Sequence, residues 1–182
     1  LAFIKTIDPT AEGKIYVDTG PVMDKVWAQR AGIGWEGKHT NVITQEYGSW
    51  VFLGEIIINL ELVYDEPATD HCGSCTLCIE ACPTQAIVEP YVLDSNRCIS
   101  YLTIEHRGEI SKKLGEQFEG WIYGCDICQD VCPWNEKFSL GSDVEEFQPR
   151  KHNIAPKLDE VLEMSQEEFS KKFAKSPMKR TK

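Results

Sequence analysis

The sequence predicts an α+β chain in three segments, and three observations carry that prediction. The first segment mixes strand-like and helical patterns, eight cysteines organise the middle, and the last segment holds a helix-start signature. Composition shifts at the turn-rich "YDEPATD" near residue 65 and again at "SLGSD", which sets boundaries at 1–64, 65–140 and 141–182.

Within the first segment, Lys14 to Val17 has strand character and "DTGP" is a turn. The helix that follows, "PVMDKVWAQRAG", has Pro21 near its start and Gly32 past its end, with Val22, Val26 and Trp27 expected as its buried stripe. "NVIT", a turn at "QEYGS" and the apolar run "WVFLGEIIINLEL" suggest a hairpin. Asp18 sits between strand and helix, where an aspartate ordinarily caps the helix or makes an Asx turn. "GIGWEGKH", residues 32–39, fits the spelling of two phosphate-binding glycine loops. Both of those need a strand before the loop and a helix after it, and here the order is reversed. Glycines placed for close approach of the backbone to a flat or bulky ligand fit the stretch better, with simple turns as the alternative.

The middle segment opens on "CGSCTLCIEACP", with cysteines at 72, 75, 78 and 82, and closes on "CDICQDVCP", with cysteines at 125, 128 and 132. Three thiolates three residues apart reach three irons of one [4Fe–4S] cube. In the two-cluster C-x₂-C-x₂-C-x₃-C-P arrangement, the cysteine before proline ligates the other cube. Exchanging those ligands assigns Cys72, Cys75, Cys78 and Cys132 to one cluster, and Cys98, Cys125, Cys128 and Cys82 to the other. The alternatives are zinc, which favours separate C-x₂₋₄-C pairs, and a disulfide framework, which needs an oxidising compartment. Short helices are expected behind each Cys-Pro, as in "PTQAIV". Between the cysteine groups, "RCISYLTIEHRGEISKKLGEQFEGW" reads as helix, loop and short helix. In the last segment Ser165 and Glu168 form a capping box, and Phe169 and Phe173 share one face of the helix it starts. His71 and His106 read individually as ordinary surface or hydrogen-bonded histidines.

With 19 Lys and Arg against 29 Asp and Glu, the formal charge is −10, which argues against a general nucleic-acid grip. The basic concentrations are local, at "KHNIAPK" and "KFAKSPMKRTK". No apolar run approaches a membrane span, and the opening residues do not read as a signal peptide, so a cytoplasmic protein is expected. Leu1 in place of methionine suggests a piece of a longer chain.

Taken together, "VDTGPVMDK", "AQRAGIGWEGKHTNVI", "EYGSWVFLGEI", "CGSCTLCIEACPTQAI", "RCISYLTIEH" and "YGCDICQDVCPWN" resemble, in the same order, the epoxyqueuosine reductase family. The resemblance implies part of an α/β cobalamin-binding domain over 1–64, a ferredoxin-like domain with two [4Fe–4S] clusters over 65–140, and a C-terminal helical extension over 141–182. It implies reduction of epoxyqueuosine to queuosine at the wobble position of tRNA, by electrons from an external donor. Asp18 matches the family's proton donor, next to the cobalamin. Val42, Leu53 and Ile99 match positions contacting cobalamin, and the segments 32–43 and 48–53 would pack against the corrin. His106 and Arg107 match a region close to the tRNA. Related reductive dehalogenases are the runner-up, and a plain two-cluster electron-transfer module is a third reading; the latter leaves "VDTGP" and "GIGWEGK" without a role.

Overall fold

A computed structural model describes residues 1–150 and 153–180; the basic stretches at 151–157 and 172–182 therefore fall partly outside the described residues. The chain is α+β, and its described strands form two-stranded antiparallel sheets. It folds as two compact units. One comprises Leu1–Cys82, Ile87–Leu93 and Ile127–Ser139; the other comprises Pro83–Ala86, Asp94–Asp126 and Leu140–Lys182.

The first unit begins with α1 (Ala2–Ile7), β1 (Gly13–Tyr16), α2 (Asp24–Arg30), β2 (Trp35–Glu36), β3 (Val42–Ile43) and β4 (Glu55–Ile58). β1 is the expected strand, but its partner is β4, in the register Gly13 to Ile58 and Tyr16 to Glu55. The hairpin expected between "NVIT" and the following apolar run is therefore corrected. Thr44 bridges Gly48 across the predicted turn, yet β3 pairs with β2 through Trp35 and Ile43. The shortness of that turn explains this: the apolar run starts its strand only at Glu55, beyond reach of a turn that closes at Gly48.

The stripe expected on α2 is also corrected. Val26 and Trp27 are exposed, with the Arg30 guanidinium 5.2 Å from the Trp27 ring centre, and Val22 is only half-buried. Ala28 is the residue this two-turn helix buries, because a small side chain lets its backbone approach the β2–β3 hairpin. The helix starts at Asp24, with Met23 in the capping position and no side-chain cap, so Asp18 does not cap it. Gly32, at φ +69°, ends it as predicted; a Cβ there would lie 2.8 Å from the Glu66 carbonyl.

The same unit contains α3 (Leu77–Ala81), β5 (Ile87–Glu89), β6 (Val92–Leu93), α6 (Ile127–Asp130) and α7 (Pro133–Phe138). The helix expected at "PTQAIV" is instead a turn leading into β5. Gln85 takes the left-handed conformation (φ 51°), and Ile87 enters a ladder with Leu93. Behind Cys132 the expectation holds: Pro133 occupies the first position of α7, where its missing N–H costs nothing.

A polar latch fixes α7. Asn135, 3% exposed, accepts from the Ser49 N–H at 2.6 Å, and its amide donates to Ser49 Oγ and to the Gln129 carbonyl, each at 2.8 Å. Ser49 Oγ donates in turn to Gln129 Oε1 at 2.8 Å. Gly48 is at φ +68°, and any Cβ there would overlap Asn135 Oδ1, so only glycine fits.

In the second unit, α4 (Ile99–Ile104) and α5 (Lys112–Gly115) form the predicted helix, loop and short helix. Ile99, Leu102 and Phe118 make its buried cluster, with Leu114, Trp121 and Cys125 packed against it. α8 (Leu158–Leu162) and α9 (Gln166–Lys172) follow. The predicted capping box is complete at Ser165 and Glu168, and Phe169 and Phe173 meet at 4.7 Å, with Phe173 fully buried. No described helix is long and apolar enough to cross a membrane.

Asn135→Ala removes the acceptor of a buried N–H and two donated bonds, and should destabilise the first unit by about 2–3 kcal/mol. Chemical denaturation of the anaerobic protein, followed by tryptophan fluorescence, checks this; an unchanged midpoint would mean that the latch is not stabilising.

Candidate iron–sulfur centre

The local chain around the first cysteines is built to turn. Asp70 Oδ1 accepts the Cys72 N–H at 2.7 Å, Gly73 takes a φ of 50°, and the Cys75 N–H returns to the Cys72 carbonyl at 3.1 Å. α3 then carries Cys78, which is buried. Proline disfavours helical backbone in the residue before it. Accordingly Cys82 (ψ 110°) and Cys132 (ψ 121°) are both extended as the chain leaves α3 and α6.

Four of the predicted ligands, Cys72, Cys75, Cys78 and Cys132, line one cavity of about 230 Å³ in the first unit. Burial pushes the Cys78 thiol up to about 11, and the neighbouring Cys72, Cys132 and Cys75 push the same way. Among the described residues, no three His, Cys, Asp or Glu side chains converge tightly enough for a single metal ion. Four thiols around one cavity are the donor set that a [4Fe–4S] cube takes. The eight cysteines form no disulfides. Of the second predicted set, Cys98 and Cys125 belong to the second unit, Cys82 and Cys128 to the first.

The rest of the cavity wall comes from a stretch that sequence reasoning assigned elsewhere. Lys38 (8% exposed) and His39 (4%) line it from the β2–β3 hairpin, on which Trp35 (1%) packs with Cys72 and Cys132. Lys38 Nζ donates to the carbonyls of Gly73 at 2.7 Å and Cys75 at 2.9 Å, holding the cysteine loop. Burial raises the Cys72 thiol, while the Lys38 main-chain N–H and the Trp35 indole act on it in the opposite sense. Burial, with a smaller contribution from the nearby Lys25, lowers the His39 pKa to about 4 and keeps the ring neutral. His71 sits edge-on to Trp35 at 4.9 Å, and Trp134 does so at 4.8 Å. Periodicity could not have found these groups, because their common face exists only once the hairpin folds over the cysteine loop. The glycines of this stretch serve that hairpin: Cβ atoms at Gly34 and Gly37 would overlap the carbonyl and the side chain of Ile43.

The other predicted residues are dispersed. Asp18 is exposed in the turn after β1 and holds a left-handed φ of 53°, uncommon outside glycine and found at functional turns. Val42 is buried in β3 and Leu53 is half-buried. In the second unit Ile99 is buried at the start of α4, His106 is half-buried, and Arg107 is exposed, donating to the Ile104 carbonyl at 3.2 Å.

Residues 71–135 match the family model of a 4Fe-4S double cluster binding domain. An epoxyqueuosine reductase of Synechocystis sp. is 50% identical over 175 residues, covering 96% of this chain and 61% of that protein. One of Gloeobacter violaceus is 45% identical over 184 residues, covering 99% and 58%. Among solved structures, an epoxyqueuosine reductase with an epoxyqueuosine-modified tRNA-Tyr stem loop matches at TM-score 0.88 and 38% identity, over 98% of this chain and 49% of that one. One from Bacillus subtilis, with an aspartate catalytic loop swung out of its active site, matches at TM-score 0.86 and 38% identity, with the same coverage. The chain thus spans less than two thirds of the length of these relatives.

If Cys132 completes the first set, Cys132→Ala in the anaerobically reconstituted protein should lower iron from about eight to about four per chain. Iron and sulfide assay, with the EPR signal of the remaining cluster, checks this; undiminished iron would remove Cys132 from the ligands.

Proposed function

We propose that this chain belongs to the epoxyqueuosine reductase family and contributes the iron–sulfur part and one face of the active site of an enzyme reducing epoxyqueuosine to queuosine in tRNA. The observation that carries this is the gathering of four thiols around one cavity, in a chain that superposes on solved epoxyqueuosine reductases. We assign the clusters as the sequence spacing does: Cys72, Cys75, Cys78 and Cys132 for one, and Cys98, Cys125, Cys128 and Cys82 for the other. The functional division into 1–64, 65–140 and 141–182 is proposed on the same basis.

When bound, the clusters supply electrons one at a time and cobalamin supplies a strongly reducing cobalt centre. The apolar segment before β4 suits a corrin face: Trp50 is 43% exposed and Phe52 83%, beside the half-buried Leu53. Asp18, Val42, Leu53 and Ile99 are the residues we assign to that cofactor.

The overall change adds two electrons and two protons to the epoxide and releases water. One proton has to reach the departing oxygen, and Asp18 is the acid we assign to that task. Covering it with cofactor and substrate would disfavour the charged form and leave it able to donate. The left-handed backbone at Asp18 supports the assignment, since strain in a short polar turn is tolerated where it aims a side chain.

The substrate is a modified tRNA, which sets the reaction in the cytoplasm. With a net charge of −10, RNA has to be held by local contacts, and His106 and the exposed Arg107 are the residues proposed for it.

The test is incubation of the reduced, cobalamin-loaded intact protein with tRNA carrying epoxyqueuosine, followed by nucleoside analysis. Queuosine is expected from the wild type. Asp18→Asn should keep iron and corrinoid content and lose turnover by about 100-fold or more, on the order of a positioned acid's contribution. Full turnover in that variant would take Asp18 out of the mechanism, and no queuosine from the wild type would overturn the function.

A further inference from the structure

Two buried donors lie beside the four cysteines: His39 lines their cavity, and Trp35 packs in one cluster with Cys72 and Cys132. Among the described residues, His39 Nε2 has no hydrogen-bond partner, and Trp35 Nε1 makes no well-formed hydrogen bond beyond its approach to the Cys72 thiol. For His39 the chemistry identifies the donor: Nδ1 accepts the Asn41 N–H at 3.2 Å, so a neutral ring carries its proton on Nε2. Trp35 Nε1 can only donate. A buried donor left without an acceptor is costly, so such groups ordinarily have a partner. Two such groups four residues apart on one hairpin, both beside the four cysteines, imply an acceptor at the sulfurs.

We propose that Trp35 and His39 donate hydrogen bonds to sulfurs of the cluster held by Cys72, Cys75, Cys78 and Cys132, and so raise its reduction potential. This rests on the reading that those four cysteines hold a cube. Both aromatic groups are therefore positioning residues that act through the cluster's sulfurs. Trp35 already lies against Cys72, and His39 shares the wall of the cavity with all four thiols. Lys38, between them, fixes the approach by tying the hairpin to the carbonyls of Gly73 and Cys75. Hydrogen bonds to cluster sulfur stabilise the reduced, more negative state, so they raise the potential. The glycine-rich stretch "GIGWEGKH" thereby gains a role that phosphate binding did not give it.

The experiment is an EPR-monitored redox titration of the anaerobically purified, iron-loaded protein, with Trp35→Phe, His39→Phe and His39→Gln. Trp35→Phe and His39→Phe should each favour the oxidised state of one cluster roughly tenfold, about 59 mV lower for one electron. The second cluster should stay put, and His39→Gln, which keeps a donor, should recover most of the shift. In the wild type, pulsed EPR in deuterated buffer should reveal exchangeable protons coupled to the first cluster. Absence of such protons in wild type overturns the inference even if a variant fails to hold iron, as do unchanged potentials in fully loaded variants or equal shifts in both clusters. A wild type that takes up no cluster at the four cysteines would instead overturn the functional reading beneath it.

Discussion

The first unit depends on one buried cation. Lys38 places its ammonium where water is largely excluded, which costs roughly several kcal/mol unless the charge is answered. Two carbonyls of the cysteine loop answer it directly, and Asp70 supplies a negative charge nearby. Asp70 itself shows the balance: burial raises its pKa, but the Tyr91 hydroxyl, the Cys72 N–H and Lys38 outweigh burial and hold it low. The hairpin and the cysteine loop are consequently fixed to each other through charge-assisted hydrogen bonds, which tolerate little displacement.

A second constraint acts from the opposite side of the cavity. Asn135 ties the 44–49 turn to α6 and α7, so that Cys132 and Trp134 are delivered by a helix that cannot slide. His71 and Trp134 each meet Trp35 edge-on beside the cysteines, each such contact adding roughly 0.5–1.5 kcal/mol. Low polarity around a cluster sharpens every remaining electrostatic interaction, which is why a few N–H groups suffice to tune it.

How much is legible in the sequence varies from element to element. The turn before α2, the Gly32 stop, the α4–loop–α5 sequence and the Ser165 capping box follow from chemistry within a few residues, and each is present. The partner of β3, the bury-Ala28 face of α2 and the turn at "PTQAIV" depend on contacts between distant segments, and there local pattern misleads. The expected hairpin fails because neighbours in sequence are not always neighbours in space: the pairing of β1 with β4 spans about 40 residues. His71 and Lys38 carry no signal of their own; one is an unremarkable histidine and the other one lysine among many charges.

Cysteine spacing and the proline after each outlying cysteine determined, without any structure, which kind of inorganic group this chain is made for, because thiolate reach and backbone restriction are local properties. The tertiary structure alone decided what surrounds that group. Buried donors acquire meaning only when folding removes water and leaves them opposite an acceptor, and no stretch of sequence records which atoms will lose their water together.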